Sequence, residues 1–207
     1  MMVLAAARMP GVQHATQGDG LGMLLINALM ITPPLLMIAV ARRWKRRGKD
    51  MYIRRIPGID AIEDAVGRTV EMGRPMLFTF GLAGVGPLFF ACLGVLNHIT
   101  RLAARYGTRL FVPQRDVEVM AITQNAVREC YQAEGRLEGY HEDDVRFLSG
   151  EQFAFASGYM GIAHREKAAA CFLFGSFAAE SLILAEAGQQ VGAIQVAGTV
   201  DNPQIPF

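Results

Sequence analysis

Three glycines behind a short apolar run are the first residues in this chain whose type and spacing suggest chemistry. In FTFGLAGVGPLFF (Phe78–Phe90), Gly81, Gly84 and Gly86 precede Pro87 and a second apolar run. A glycine turn between a strand and a helix presents free amides at the helix N-terminus, where phosphate binds. The spacing here is G-x-x-G-x-G, which matches neither the G-x-G-x-x-G of dinucleotide sites nor the lysine-bearing triphosphate loop. No lysine or hydroxyl follows to hold a triphosphate or its magnesium, and no acid ends the next apolar run. Arg115 is the cation placed to touch a phosphate. The spacing favours a tight strand-to-helix turn, with a nucleotide-type ligand as the alternative.

The remaining reactive residue types are weighed the same way. HEDD (His141–Asp144) has metal-binding side chains, but adjacent residues seldom converge on one ion, so a solvated loop is favoured. His98 and His164 lie in helical stretches and read as packed or surface histidines. No G-x-S-x-G elbow is present, and Ser176 in FGSF sits at a strand end with no evident base. Glu151 and Glu180 are an acid–base pair on one reading and N-terminal helix charges on the favoured one. Cys92, Cys130 and Cys171 are widely spaced and odd in number, which fits reduced, mostly buried thiols. No complete catalytic set emerges, no metal site is assigned and no cofactor is named.

These residues depend on alternating elements. Gly58–Gly73 carries apolar residues at Ile59, Ile62, Ala65, Val66 and Val70, the spacing of an amphipathic helix. PMLFTF (75–80) predicts a buried strand, with a helix over about Pro87–Tyr106. TRLFVP (108–113) is a second strand, followed by a helix over 116–135 with Asp116 as its N-cap. DVRFLSG (144–150), ACFLFGS (170–176) and VGAIQVAGT (191–199) are the third to fifth strands, with helices from Glu151 and over Ala178–Gly188 between them. Short apolar runs alternating with helices predict right-handed crossovers over a sheet buried on both faces. The expected fold is α/β: a Rossmann-like three-layer domain with a mostly parallel five-stranded sheet, preceded by one transmembrane helix. Ligands of such sheets lie outside the carboxyl ends of the strands. Those ends hold Gly81–Gly86, then Gln114–Asp116, then Ser149–Gln152, then Gly175 and Ser176 with Glu180, and last Gly198 and Thr199 with Asp201 and Asn202. The residues assigned to ligand binding are Gly81, Gly84, Gly86, Arg115, Ser149, Glu151, Ser176, Glu180 and Thr199.

Ahead of this domain, Leu21–Ala41 carries no charge and is long enough to cross about 30 Å of hydrocarbon. Pro33 and Pro34 sit mid-span, where a kink is expected and hints at self-association or a partner helix. RRWKRRGK then places six cations in eight residues (Arg42, Arg43, Lys45, Arg46, Arg47, Lys49). Positive charge after the span puts the N-terminus outside and the domain in the cytoplasm. From Asp50 on, 13 cations face 18 carboxylates, so the domain is acidic and nucleic acid is not an expected partner. The expected organisation is a short extracytoplasmic N-terminus (1–20), a transmembrane helix (21–41), a basic juxtamembrane collar (42–55) and a cytoplasmic domain (56–207). Membrane lipid is the partner of anchor and collar, and the chain is expected to form a homo-oligomer or join a membrane complex. DNPQIPF follows the fifth strand without a closing helix, so the tail lies over the sheet edge or the domain is truncated.

The stretches IPGIDAIEDAVGRTVEMGRPMLFTFGL, GTRLFVPQRD, HEDDVRFLSGEQFAFASG and FGSFAAESLILAEAG with GAIQVAGT carry a further signal. Over Ile56–Phe207 the chain resembles a family of uncharacterised bacterial membrane-anchored proteins that carry a domain of unknown function after an N-terminal span. The resemblance implies a bacterial inner membrane location, single-pass, and a chain continuing past Phe207. It implies no catalytic residue, cofactor or substrate. The function expected is a membrane-anchored cytoplasmic binding or assembly module that senses a ligand or forms part of a membrane complex, with an enzyme acting on a nucleotide or activated small molecule at the carboxyl-end rim of the sheet as the alternative.

Overall fold

A computed structural model of the chain describes residues 20–46 and 57–205. The chain divides into two units, Met1–Arg54 and Arg55–Phe207. In the first, helix α1 (Gly20–Arg46) runs through Pro33 and Pro34 without interruption. Each proline lacks a donor, so the carbonyls of Leu29 and Met30 lose their usual helical partners. Side chains from Leu25 to Val40 are all exposed, and the helix is long and apolar enough to cross a membrane. Arg42 and Arg43 are exposed on its last turns, while Arg47 and Lys49 lie outside the described residues.

The second unit is a five-stranded sheet with helices on both faces. Its elements are α2 (Pro57–Met72), β1 (Met76–Gly81), α3 (Pro87–Tyr106), β2 (Leu110–Gln114), α4 (Val117–Ala133), β3 (Val145–Phe147), α5 (Gln152–Glu166), β4 (Ala170–Ser176), α6 (Glu180–Gln190) and β5 (Ile194–Thr199). The order is β3-β2-β1-β4-β5, and every pairing is parallel, where the sequence predicted a mostly parallel sheet.

Alternation along each strand divides the core. Met76, Phe78 and Phe80 of β1, with Leu110, Val112, Ala170 and Phe172, pack against α2, α3 and α4. Leu77, Phe111, Cys171 and Leu173 point the other way, against α5 and α6. Apolar side chains on both faces explain why the strands read as continuous runs. α3 is also long and apolar enough to cross a membrane, yet Phe89, Leu96, Ile99 and Ala103 are fully buried in the core.

Boundaries shift where polar bonds intervene. β3 is only three residues long, because the Ser149 hydroxyl accepts from the Glu151 amide and turns the chain toward α5. On α2, Ile62, Ala65, Val66 and Thr69 are buried while Ile59 and Val70 are exposed. Thr69 fits inside because its hydroxyl donates to the Val66 carbonyl (2.7 Å). The amino end of the sheet is closed by arginines. Arg74 donates to the carbonyls of Lys167, Ala168 and Val191, ahead of β4 and β5. Arg109 grips the buried Asp144 carboxylate (2.7 Å) and stacks over Phe111. The last acid of the HEDD run is therefore spent on an ion pair.

Candidate functional site at the carboxyl ends of the strands

From β1 the chain moves outward through β2 and β3; from β4 it moves the opposite way to β5, so strand order reverses between β1 and β4. Open parallel sheets hold ligands outside such a reversal. Here the two strand ends approach backbone to backbone. A Cβ on Gly175 would stand 2.0 Å from the Phe80 carbonyl oxygen, so only glycine fits. Gly81 has φ +62° and a Cβ there would meet the Ser176 carbonyl oxygen at 2.3 Å and the Phe177 ring at 2.5 Å. The Leu82 amide donates to that same carbonyl (2.8 Å). The first glycine of the turn is therefore consumed by strand packing. Gly84 and Gly86 have open space around them, and Gly86 is the extended N-cap of α3, with Pro87 at its first turn.

The other assigned residues fall into two groups. Toward β2 and β3, Arg115 Nε donates to the Gly150 carbonyl (2.9 Å), tying two loops together, and Ser149 holds the turn before Glu151. Asp116 caps α4 by accepting from the Glu118 amide (2.8 Å). Glu151 is the exposed N-cap residue of α5, with no side-chain cap bond. Toward β4 and β5, Ser176 Oγ donates to Asp201 (2.7 Å) and the Phe177 amide donates to the same carboxylate oxygen (2.9 Å). Thr199 Oγ1 accepts from the Asp201 amide (3.1 Å). The structure thus brings Ser176 and Thr199 together through Asp201. The Ser176 hydroxyl bond, then the Phe177 amide, hold the Asp201 carboxyl below its usual range.

Glu151 and Glu180 are not joined to each other. Glu180 is fully buried and accepts from the Gln152 amide and from the Ala178 backbone amide (3.0 Å). Sequence reasoning placed Gln152 and Asp201 at strand ends without giving them a role. Their partners lie 28 and 25 residues away in the chain, and no local pattern announces such a contact. Gln114, the last residue of β2, is 2% exposed and its Nε2 is without a partner.

After β5 the chain folds back over α6 as a turn closed by the Gln204 amide on the Asp201 carbonyl (2.8 Å). The Ser181 hydroxyl meets Gln204 Oε1 (2.9 Å). Beneath this turn lies a cavity of about 440 Å³, bounded by β4, α6, β5 and the tail. Leu173, Phe177, Leu182, Ala185, Thr199 and Gln204 are among the residues that line it.

The three cysteines are free and buried. Burial pushes the Cys171 thiol up, beside the enclosed Tyr159 hydroxyl. Among the described residues no group of three or more His, Cys, Asp or Glu is arranged to hold a metal ion.

Residues 18–207 match a family defined as a domain of unknown function (DUF6754), and the chain belongs to that family. Neither the curated proteins nor the solved structures contain a significant match to it.

Proposed function

We propose that this DUF6754 protein is a membrane-anchored binding or assembly module, held at a bacterial inner membrane by α1, with its Rossmann-like α/β unit in the cytoplasm. One observation carries the reading: each of the five strand ends is followed by an exposed apolar side chain. These are Val85 and Phe90 after β1, Val117 after β2, Phe153 after β3, Leu182 after β4 and Val200 after β5, exposed by 47 to 64%. The first turn of a helix has no folding need for an outward phenylalanine or leucine. Apolar residues gathered on one end of a domain mark a contact surface. Three of the acids at that end support docking over catalysis, because Glu180, Asp116 and Asp201 already serve the fold as hydrogen-bond acceptors.

The occupant proposed is a second copy of the chain or the cytoplasmic part of a membrane complex. A paired α1 would also supply neighbours for the carbonyls that Pro33 and Pro34 leave without donors. Basic residues following the span support the orientation, with Arg42 and Arg43 meeting lipid headgroups. Mass photometry and crosslinking of the full chain in detergent test the assembly. A complex that dissociates when Phe90 and Phe153 are changed to aspartate is expected. A strictly monomeric full chain that captures no membrane protein overturns the reading.

A further inference from the structure

We propose that the cavity under the tail is a binding site for an uncharged amphipathic molecule, a medium-length hydrocarbon chain ending in a neutral hydroxyl or similar group. Its volume of about 440 Å³ falls within the range of small-molecule sites, roughly 300–1,000 Å³. Its walls give the ligand class. None of the described residues lining it is charged, and Leu173, Phe177, Leu182 and Ala185 make most of the surface apolar. Carboxylates, phosphates and ammonium groups are disfavoured, since a charge taken from water into an uncharged site has nothing to replace its solvation. The polar side chains lining it are Ser181, Thr199 and Gln204, and the Thr199 hydroxyl and Gln204 amide can pair with a neutral polar end.

The closure has the form of a lid. The turn over the cavity is fastened at two polar points, Asp201 on Ser176 and Phe177, and Gln204 on Ser181. Phe177 serves both ends of this device: its ring packs on Gly81 and its amide holds the latch. Breaking these three hydrogen bonds, all made to the Asp201 and Gln204 side chains, opens the site without breaking a strand pairing. This inference does not rest on the docking reading: Leu182 belongs to both surfaces, but filling at Ala185 and competition by decanoate read the cavity alone.

The test uses the full chain in phosphatidylcholine nanodiscs and a photoactivatable diazirine analogue of 1-decanol, with labelled peptides mapped by mass spectrometry. Label is expected in Glu180–Gln190 and Ile194–Thr199. Unlabelled 1-decanol is expected to compete at least about tenfold better than decanoate at pH 7. Ala185→Trp, which fills the cavity, and Leu182→Glu, which places a charge on its wall, are each expected to cut α6 labelling about tenfold or more. Leu182 is 61% exposed, so its variant keeps the fold if Ala185→Trp does not. Label confined to α1, labelling unchanged in both variants, or equal competition by decanoate overturns the proposal. An intact site in a monomeric chain that captures no membrane protein would overturn the assembly reading alone.

Discussion

Alanine at Gly81 and at Gly84 separates a glycine needed for packing from one that is not. At Gly81 φ is +62°, a region that costs an L-residue about 1–2 kcal/mol. The new Cβ would also stand 2.3 Å from the Ser176 carbonyl oxygen and 2.5 Å from the Phe177 ring. The ring can swing, but the carbonyl is bonded to the Leu82 amide, so the strand ends must part. Overpacking of this kind costs about 1–3 kcal/mol. Alanine also restricts the unfolded chain, which returns about 0.4–1 kcal/mol. The net loss is about 1–4.5 kcal/mol, and each kcal/mol lowers Tm by roughly 2–4 °C in a domain of this size. Thermal unfolding of the full chain should therefore move down by roughly 2–18 °C for Gly81→Ala. Gly84 has open space around it and no left-handed φ, so Gly84→Ala should hold or gain up to about 1 kcal/mol. Equal melting of Gly81→Ala and wild type, or equal losses at the two positions, would refute the argument that strand contact sets the first glycine.

Four further outcomes are expected. Glu180→Ala strands the Gln152 amide and the Ala178 amide and should cost about 2–4 kcal/mol in urea unfolding. Arg109→Met removes the partner of the buried Asp144 carboxylate; with nearly half of the arginine side chain exposed, the loss should be about 1–2 kcal/mol, and less when combined with Asp144→Asn. Burial, and secondarily Asp144, push the Tyr131 hydroxyl from 10 to about 12. The folded state then holds a proton that the unfolded state releases, so Tyr131's contribution to stability is present below pH 10 and lost as pH rises toward about 12; absorbance titration at alkaline pH reads it. The depressed Asp201 carboxyl has the opposite sign, stabilising at neutral pH and losing that contribution as pH falls through its folded value. The urea midpoint gap between wild type and Asp201→Asn should narrow as pH falls below the ordinary carboxyl value, and a gap that stays constant throughout acidification contradicts the latch.

The strands were legible in the sequence because both faces of the sheet are buried, which makes residues 76–81 and 170–176 nearly continuous apolar runs, with Thr79 the one polar residue inside the first. The Asp116 cap was legible because its partner amide is two residues away. What escaped was decided by contacts between distant segments. Gly81 looks like the head of a phosphate motif until Phe177 is placed against it. Glu151 and Glu180 look equivalent from their places before α5 and at the head of α6, yet one is exposed and the other is enclosed with Gln152. The cavity had no signature at all, since its walls are ordinary residues drawn from β4, α6, β5 and the tail.

The place of β1 at the centre of the sheet has a consequence for synthesis. Met76 pairs on one side with Leu110 and on the other with Ala170, 94 residues further along. A ribosome adding roughly 5–20 residues per second leaves that second edge open for about 5–20 s. During that interval the unpaired backbone of β1 and the rings of Phe78 and Phe80 are available to any neighbouring chain. An α1 that inserts early would hold the nascent unit at a membrane surface through this delay. Expression of the fragment 57–207 without α1 should accordingly give more aggregate than the full chain, with β4 the segment whose late arrival ends the risk.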